Sequence, residues 1–142
     1  MRGFLSSADI SATGLAAERT RMQVIANNVA NANATRTDAG GPYRRQVAVF
    51  APLLEERFGS GPSRSGGVQV LGIQNAEGEH PRIYDPAHPD ADADGYLEMP
   101  NVSIAKEMVE MISASRSYEA NLHALKNLRS MIEHSLSLLR PQ

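Results

Sequence analysis

At 142 residues the chain has room for one domain, or for a small domain with accessory helices. Its formal net charge of −2 offers no basic field for nucleic acid and no polybasic pull toward anionic lipid. The absence of cysteine excludes disulfides, thiolate metal sites and cysteine nucleophiles. Hydrophobic residues make up 42% but aromatics only 5%, with no tryptophan, which favours helix seams over an interior built on large rings. No run approaches the roughly 18 apolar residues of a membrane span, and the stretch Met1–Asp9 lacks the apolar core of a secretory signal. The expectation is a chain with no membrane span, exported, if at all, by another route than general secretion.

Glycine and proline divide the chain. Residues 33–100 hold nine of the eleven glycines and seven of the eight prolines, which leaves both flanks free to run as long helices. Three parts follow: an amino-terminal helix within 1–34, a β-rich insert over 35–100, and a carboxy-terminal helix within 101–142. The expected fold class is α+β, with two long terminal helices forming an antiparallel coiled-coil-like hairpin around the insert.

The first helix is predicted over about 5–31, roughly 40 Å long. Ala8, Leu15, Met22 and Val29 recur at intervals of seven, flanked by Leu5, Ala12 and Ala26. Asn27, Asn28, Asn31 and Asn33 crowd its end, where asparagine can close a helix in the left-handed conformation. In the insert, Tyr43–Phe50 and Val68–Ile73 read as strands, with Arg82–Asp85 and Tyr96–Met99 as shorter ones. Gly59–Gly67 reads as a flexible loop. Arg44 and Arg45 fall in the first strand and are expected on an exposed face, or in a basic contact with a partner.

The last helix is predicted over about 102–140, roughly 58 Å long. One stripe runs Ile104, Met111, Tyr118, Leu125, Ile132 and Leu139; a second runs Met108, Ser115, Leu122, Arg129 and Leu136. Pro100 and Asn101 mark its start and Pro141 its stop. Val102, Val109, Ile112, Leu128, Met131 and Leu138 lie off the stripes, as do Ile10 and Val24 of the first helix. A self-contained hairpin needs one apolar stripe per helix, so the extra positions call for neighbours from other chains. Small side chains in Ser113–Ser117 read either as a solvated face or, given the alanine-rich first helix, as a place where neighbouring helices approach closely; the second is expected.

Candidate chemistry is thin. Asp90, Asp92, Asp94 and Gly95 match the first half of a calcium loop, but its twelfth position is Asn101, and Pro86 and Pro89 forbid an entering helix, so a solvated acidic turn is expected. His80, His88, His123 and His134 show no ligand spacing. Gly59 and Gly61 begin like a dinucleotide loop that breaks at Arg64. No catalytic, cofactor-binding or metal-ligating residue is expected.

The run Ala26-Asn-Asn-Val-Ala-Asn-Ala-Asn-Ala-Thr35 resembles the asparagine-rich motif of the flagellar rod, hook and hook-associated axial proteins. Gly41–Arg45, Gly66–Val70, Tyr84–Pro89, Gly95–Val102 and Met111–Asn121 are similar to stretches of the short proximal-rod members of that family, in the same order and over essentially the whole chain. The resemblance implies a non-enzymatic subunit of the proximal rod, the shaft that transmits torque to hook and filament, without cofactor. It implies residence in the periplasm-spanning rod of the basal body and export by the flagellar type III apparatus. Its implied partners are other copies of itself, proximal and distal rod proteins, a basal-body adaptor at the inner-membrane ring and the export machinery, with no nucleic acid. The candidate assembly residues are Leu5, Ala8, Leu15, Met22, Asn28, Val29 and Asn31 on the first helix, and Ile104, Met108, Met111, Tyr118, Leu122, Leu125, Ile132, Leu136 and Leu139 on the last. Arg19 and Arg129 interrupt the stripes, as register-setting or inter-subunit contacts. A soluble export adaptor, using the same helices transiently, is the competing reading.

Overall fold

The computed structural model describes residues 2–38, 40–54 and 65–138. Its elements run α1 (Arg2–Ala30), β1 (Gln46–Leu54), β2 (Ser65–Asn75), β3 (Arg82–Tyr84), β4 (Tyr96–Glu98) and α2 (Ile104–Leu138). Two terminal helices thus flank a small antiparallel β insert, an α+β arrangement.

The helices pack side by side and antiparallel: Gly14 faces Asn121 midway along the pair, and Asn28 meets Glu107 near one end. Small residues set the separation. Ala17 and Ala114 are buried, and a Cβ on Gly14 would lie 3.0 Å from Asn121 Nδ2. Val24 and Ile25 supply the larger buried side chains of α1. At about 1.5 Å per residue, the 35 residues of α2 reach about 52 Å against about 44 Å for the 29 of α1. Every described residue of α2 from Arg129 to Leu138 is exposed.

The face α2 turns toward α1 differs in part from the expected stripes. Met111, Tyr118 and Leu125 are half-buried as the first stripe requires; of the file starting at Met108 only Ser115 and Leu122 are half-buried, and Glu107, Ala114, Asn121 and Leu128 form a further, more buried file. Hydrophobicity passed over this further file because it carries a glutamate, an alanine and an asparagine. The asparagine-rich end of α1 also differs. No non-glycine residue among those described has a positive φ; Asn31 instead donates its side-chain Nδ2–H to the Asn27 carbonyl at 2.9 Å, satisfying a helix-end acceptor.

In the insert, β1 and β2 form a hairpin that packs on α1. Gln46 stands opposite Asn75 and Val49 opposite Gly72, but Phe50 stands opposite Val70, so Leu71 is the extra residue of a bulge. At the start of β2 the chain passes so close to α1 that only glycine fits. Gly67 has φ +135°, a Cβ there would collide with Thr13, and Thr13 Oγ1 accepts the Val68 N–H at 3.2 Å. Residues 59–64 of the expected loop lie outside the described residues, while Ser65–Gly67 belong to β2. The first strand begins at Gln46, three residues later than predicted, because Tyr43–Arg45 turn toward the helix junction.

The second ribbon pairs Arg82 with Glu98, Ile83 with Leu97 and Tyr84 with Tyr96, and Leu97 is buried. The acidic turn feeding it is held by its own carboxylates. Asp92 Oδ1 accepts the N–H groups of Asp94 and Tyr96 at 3.0 and 2.8 Å, and Asp92 Oδ2 pairs with Arg82. The Tyr96 N–H, ahead of the other contributors, holds the Asp92 carboxyl below the usual range. Asp90 accepts the Thr35 hydroxyl at 2.8 Å, tying this turn to the segment after α1.

Candidate assembly interface

Where the end of α1, the start of α2 and the start of β1 meet, the chain buries a polar cluster. Asn28 and Glu107 are both fully buried. Asn28 Oδ1 accepts the Gln46 N–H at 2.9 Å and the Tyr43 hydroxyl at 3.0 Å; its Nδ2 donates to the Gln46 carbonyl at 2.8 Å and to Glu107 Oε2 at 2.9 Å. A flipped carboxamide would set its NH₂ against an N–H and its oxygen against a carboxylate, so the network itself assigns the orientation. The other Glu107 oxygen accepts from Arg45 Nε at 2.6 Å, and Arg45 Nη2 donates to Glu110 Oε1 at 3.0 Å. Arg45 is further held by its own N–H, donated to Asn101 Oδ1 at 2.7 Å. Burial, and secondarily the Glu107 carboxylate, holds the Tyr43 phenol above its ordinary range.

Chemically this is a lock and not a reactive centre. Every member is an acceptor or donor already matched, and an unmatched buried carboxylate here would cost several kcal/mol. It fixes where the insert leaves the helix pair. Arg45 is therefore a tertiary contact, against the expectation of an exposed strand face. The sequence reading passed over Glu107 and Glu110, and gave Tyr43 and Asn101 no part in such a cluster. The one available signal was a glutamate in the first turn of an apolar helix, on the face shared with Ala114.

Outside the lock, many large apolar side chains of the described residues stand in solvent. On the side of α2 turned away from α1, Ile104, Met108, Val109 and Ile112 are exposed, Met108 at 58% and Val109 at 67%. Beyond Arg129 come Met131, Ile132, Leu136 and Leu138, the last 87% exposed.

The candidate assembly residues divide accordingly. Ala8, Leu15, Met22 and Val29 of α1, and Met111, Tyr118, Leu122 and Leu125 of α2, are half-buried. Ile104, Met108, Ile132 and Leu136 are exposed. Asn28 is engaged inside the chain, and Asn31 is half-buried at the end of α1. The Leu5 side chain and Leu139 lie outside the described residues. Arg129 bonds Glu133 one turn on at 2.9 Å, and Arg19 is exposed.

The described residues thus combine a small buried core, an internal polar lock and long helices with apolar side chains in solvent. Comparison with known proteins gives the class. Residues 9–36 match the family described as flagella basal body rod protein, and residues 93–138 match the flagellar basal body rod FlgEFG protein C-terminal family. The flagellar basal-body rod protein FlgC of Borreliella burgdorferi is 43% identical, over 97% of this chain and 99% of that protein. The FlgC proteins of Salmonella typhimurium and Bacillus subtilis are 39% and 36% identical, over 92% and 93% of this chain and 93% and 95% of theirs. The chain belongs to the FlgC family of flagellar basal-body rod proteins, and is a structural rod subunit.

Proposed function

We propose that this rod subunit assembles into the proximal rod through its terminal helices, residues 1–34 and 101–142, and carries the insert, 35–100, on the outside. The observation that supports this most is the open apolar surface of α2. Ile104, Met108, Val109 and Ile112, and further along Met131, Ile132, Leu136 and Leu138, stand exposed on it. In this reading the exposed candidates Ile104, Met108, Ile132 and Leu136 meet neighbouring subunits directly. The half-buried ones hold α1 against α2 and complete their burial on assembly. Its neighbours are other copies, other proximal and distal rod proteins and an adaptor at the inner-membrane ring. The chain reaches them through the flagellar type III apparatus, and its task is to transmit torque without catalysis.

Isolated basal bodies test the reading. The tagged protein should co-purify with them, whereas an export adaptor would stay in the cytosol. A Leu125→Asp chain should be synthesised but build no complete rod, because burying an unpaired carboxylate costs several kcal/mol. Full motility with normal basal bodies in that strain would refute the role given to the helices.

A further inference from the structure

With no cysteine in the chain, the thioether of methionine is its readiest target for mild oxidants. The fold sorts the described methionines into two sets. Met22, Met99 and Met111 are half-buried, whereas Met108 and Met131 stand 58% and 54% exposed on α2. Met108 and Met111 are only three residues apart on one helix, yet Met111 lies on a file turned toward α1 and Met108 on the side turned away. Met108 is in line with Ile104 and Ile112, four residues to either side, and next to Val109, all of them exposed. Met131 has the exposed Ile132 beside it and Leu138 two turns on. Heptad spacing sets Met108 in a seam and Met131 outside one; the fold puts both in solvent, in apolar company.

Oxidation at these two positions changes what α2 offers to another surface. A thioether is apolar and a weak acceptor, whereas a sulfoxide oxygen is polar and needs a donor when buried. The step takes only hydrogen peroxide. The sulfur lone pair attacks one peroxide oxygen, the O–O bond breaks as the S–O bond forms, and the displaced hydroxide takes the remaining proton and leaves as water. Sulfur gives up two electrons and the peroxide accepts them. The aliphatic side chains around Met108 and Met131 have no donor for the new oxygen, so burying it beside them is unfavourable where burying the thioether was not.

We propose that Met108 and Met131 are peroxide-oxidation sites that gate assembly: with both as thioethers the outward side of α2 packs into the rod, and with either as a sulfoxide the chain is held out of it. This gate rests on the rod reading, which places these side chains in contacts between subunits. It acts only on chains not yet assembled, because packing takes the two sulfurs out of solvent. Met111, on the file turned toward α1, is spared and serves as an internal reference on the same helix.

Peptide mass spectrometry after hydrogen peroxide treatment tests it. In the purified full-length chain, sulfoxide should form at Met108 and Met131 about tenfold faster than at Met111 and Met22; equal rates overturn the proposal. In isolated basal bodies the two fast sites should slow by about tenfold, and unchanged rates there, with the chain present, also overturn it. The gate itself is read in cells that hold the free chain during a brief peroxide pulse and build rods only afterwards. The sulfoxide fraction at Met108 and Met131 should then be about tenfold lower in basal bodies than in the free chain of the same cells; equal fractions overturn the gate. A Met108→Leu, Met131→Leu chain keeps apolar bulk without the oxidisable sulfur. Its entry into rods, measured against its own untreated level, should not respond to the pulse, whereas that of the natural chain falls; an equal fall in both overturns the proposal. If that variant enters no rods even untreated, the sulfoxide fractions of the natural chain decide. Absence of the natural chain from untreated basal bodies would instead refute the rod reading itself.

Discussion

Replacing Asn28 with aspartate is a near-isosteric change in the middle of the lock, and the structure dictates its effect. The two acceptor contacts of Oδ1 survive. The two donors of Nδ2, to the Gln46 carbonyl at 2.8 Å and Glu107 Oε2 at 2.9 Å, are replaced by an oxygen facing oxygens. A neutral hydrogen bond is worth about 0.5–1.5 kcal/mol net and one to a charged group about 1.5–3 kcal/mol. A second buried carboxylate beside Glu107 adds repulsion that Arg45 alone does not neutralise, so a loss of about 3–5 kcal/mol is expected at pH 7. Against a whole-domain stability of about 5–15 kcal/mol this is a large share, and it corresponds to a fall in Tm of about 10–15 °C. Acidity should reverse part of it. In the variant one of the two facing carboxyls has its folded-state pKa raised above its unfolded value near 4. The penalty is therefore absent below that unfolded value and grows as pH rises through the raised one. Urea and thermal unfolding at pH 7 and at about pH 4.5, each referred to the natural chain, measure this. Asn28→Ala, which adds no charge, should show a deficit that does not shrink on acidification. A variant Asn28→Asp within about 1 kcal/mol of the natural chain at pH 7, or with a pH-independent deficit, would refute the reasoning.

Arg45→Met should destabilise the chain by about 3 kcal/mol, the low end for breaking a buried pair because its side chain is 17% exposed; chemical denaturation reads this. Gly67→Ala should lose about 2 kcal/mol or more, from a Cβ driven into Thr13 at φ +135°, and Thr13→Ala in the same chain should restore only part, because the backbone strain remains. Asp92→Asn should flatten the acid limb of the stability profile. The folded-state pKa of Asp92 is depressed, so its contribution is present above the ordinary value near 4 and is lost as pH falls through the folded one. An unchanged acid limb in thermal melts would count against that turn network.

The two long helices, the insert between them and the order of its four strands were readable from the sequence, because each rests on local causes. Glycine and proline are confined to the insert, and apolar residues recur at helical or strand spacing over enough residues to outweigh single exceptions. The resemblance carried by the asparagine-rich run and by Gly95–Val102 reached the family for a similar reason, since both are contiguous. Their physical roles, however, came only with the fold. Asn28 ends as a strand-like partner for Gln46, Asn101 as an acceptor for the Arg45 N–H, and Gly95 as a turn at φ +80° with the Tyr84 ring 2.9 Å from where a Cβ would stand. Which file of α2 faces α1 was likewise beyond the sequence. Periodicity ranks positions by hydrophobicity, and a seam built from Glu107, Ala114 and Asn121 wins through hydrogen bonding and close approach, which no apolar count registers. Residues 28, 45 and 107 are far apart along the chain, and only tertiary structure brings their charges and amides within hydrogen-bond reach. Local spacing determines elements; partners for buried polar groups are decided by the packing that excludes water from them.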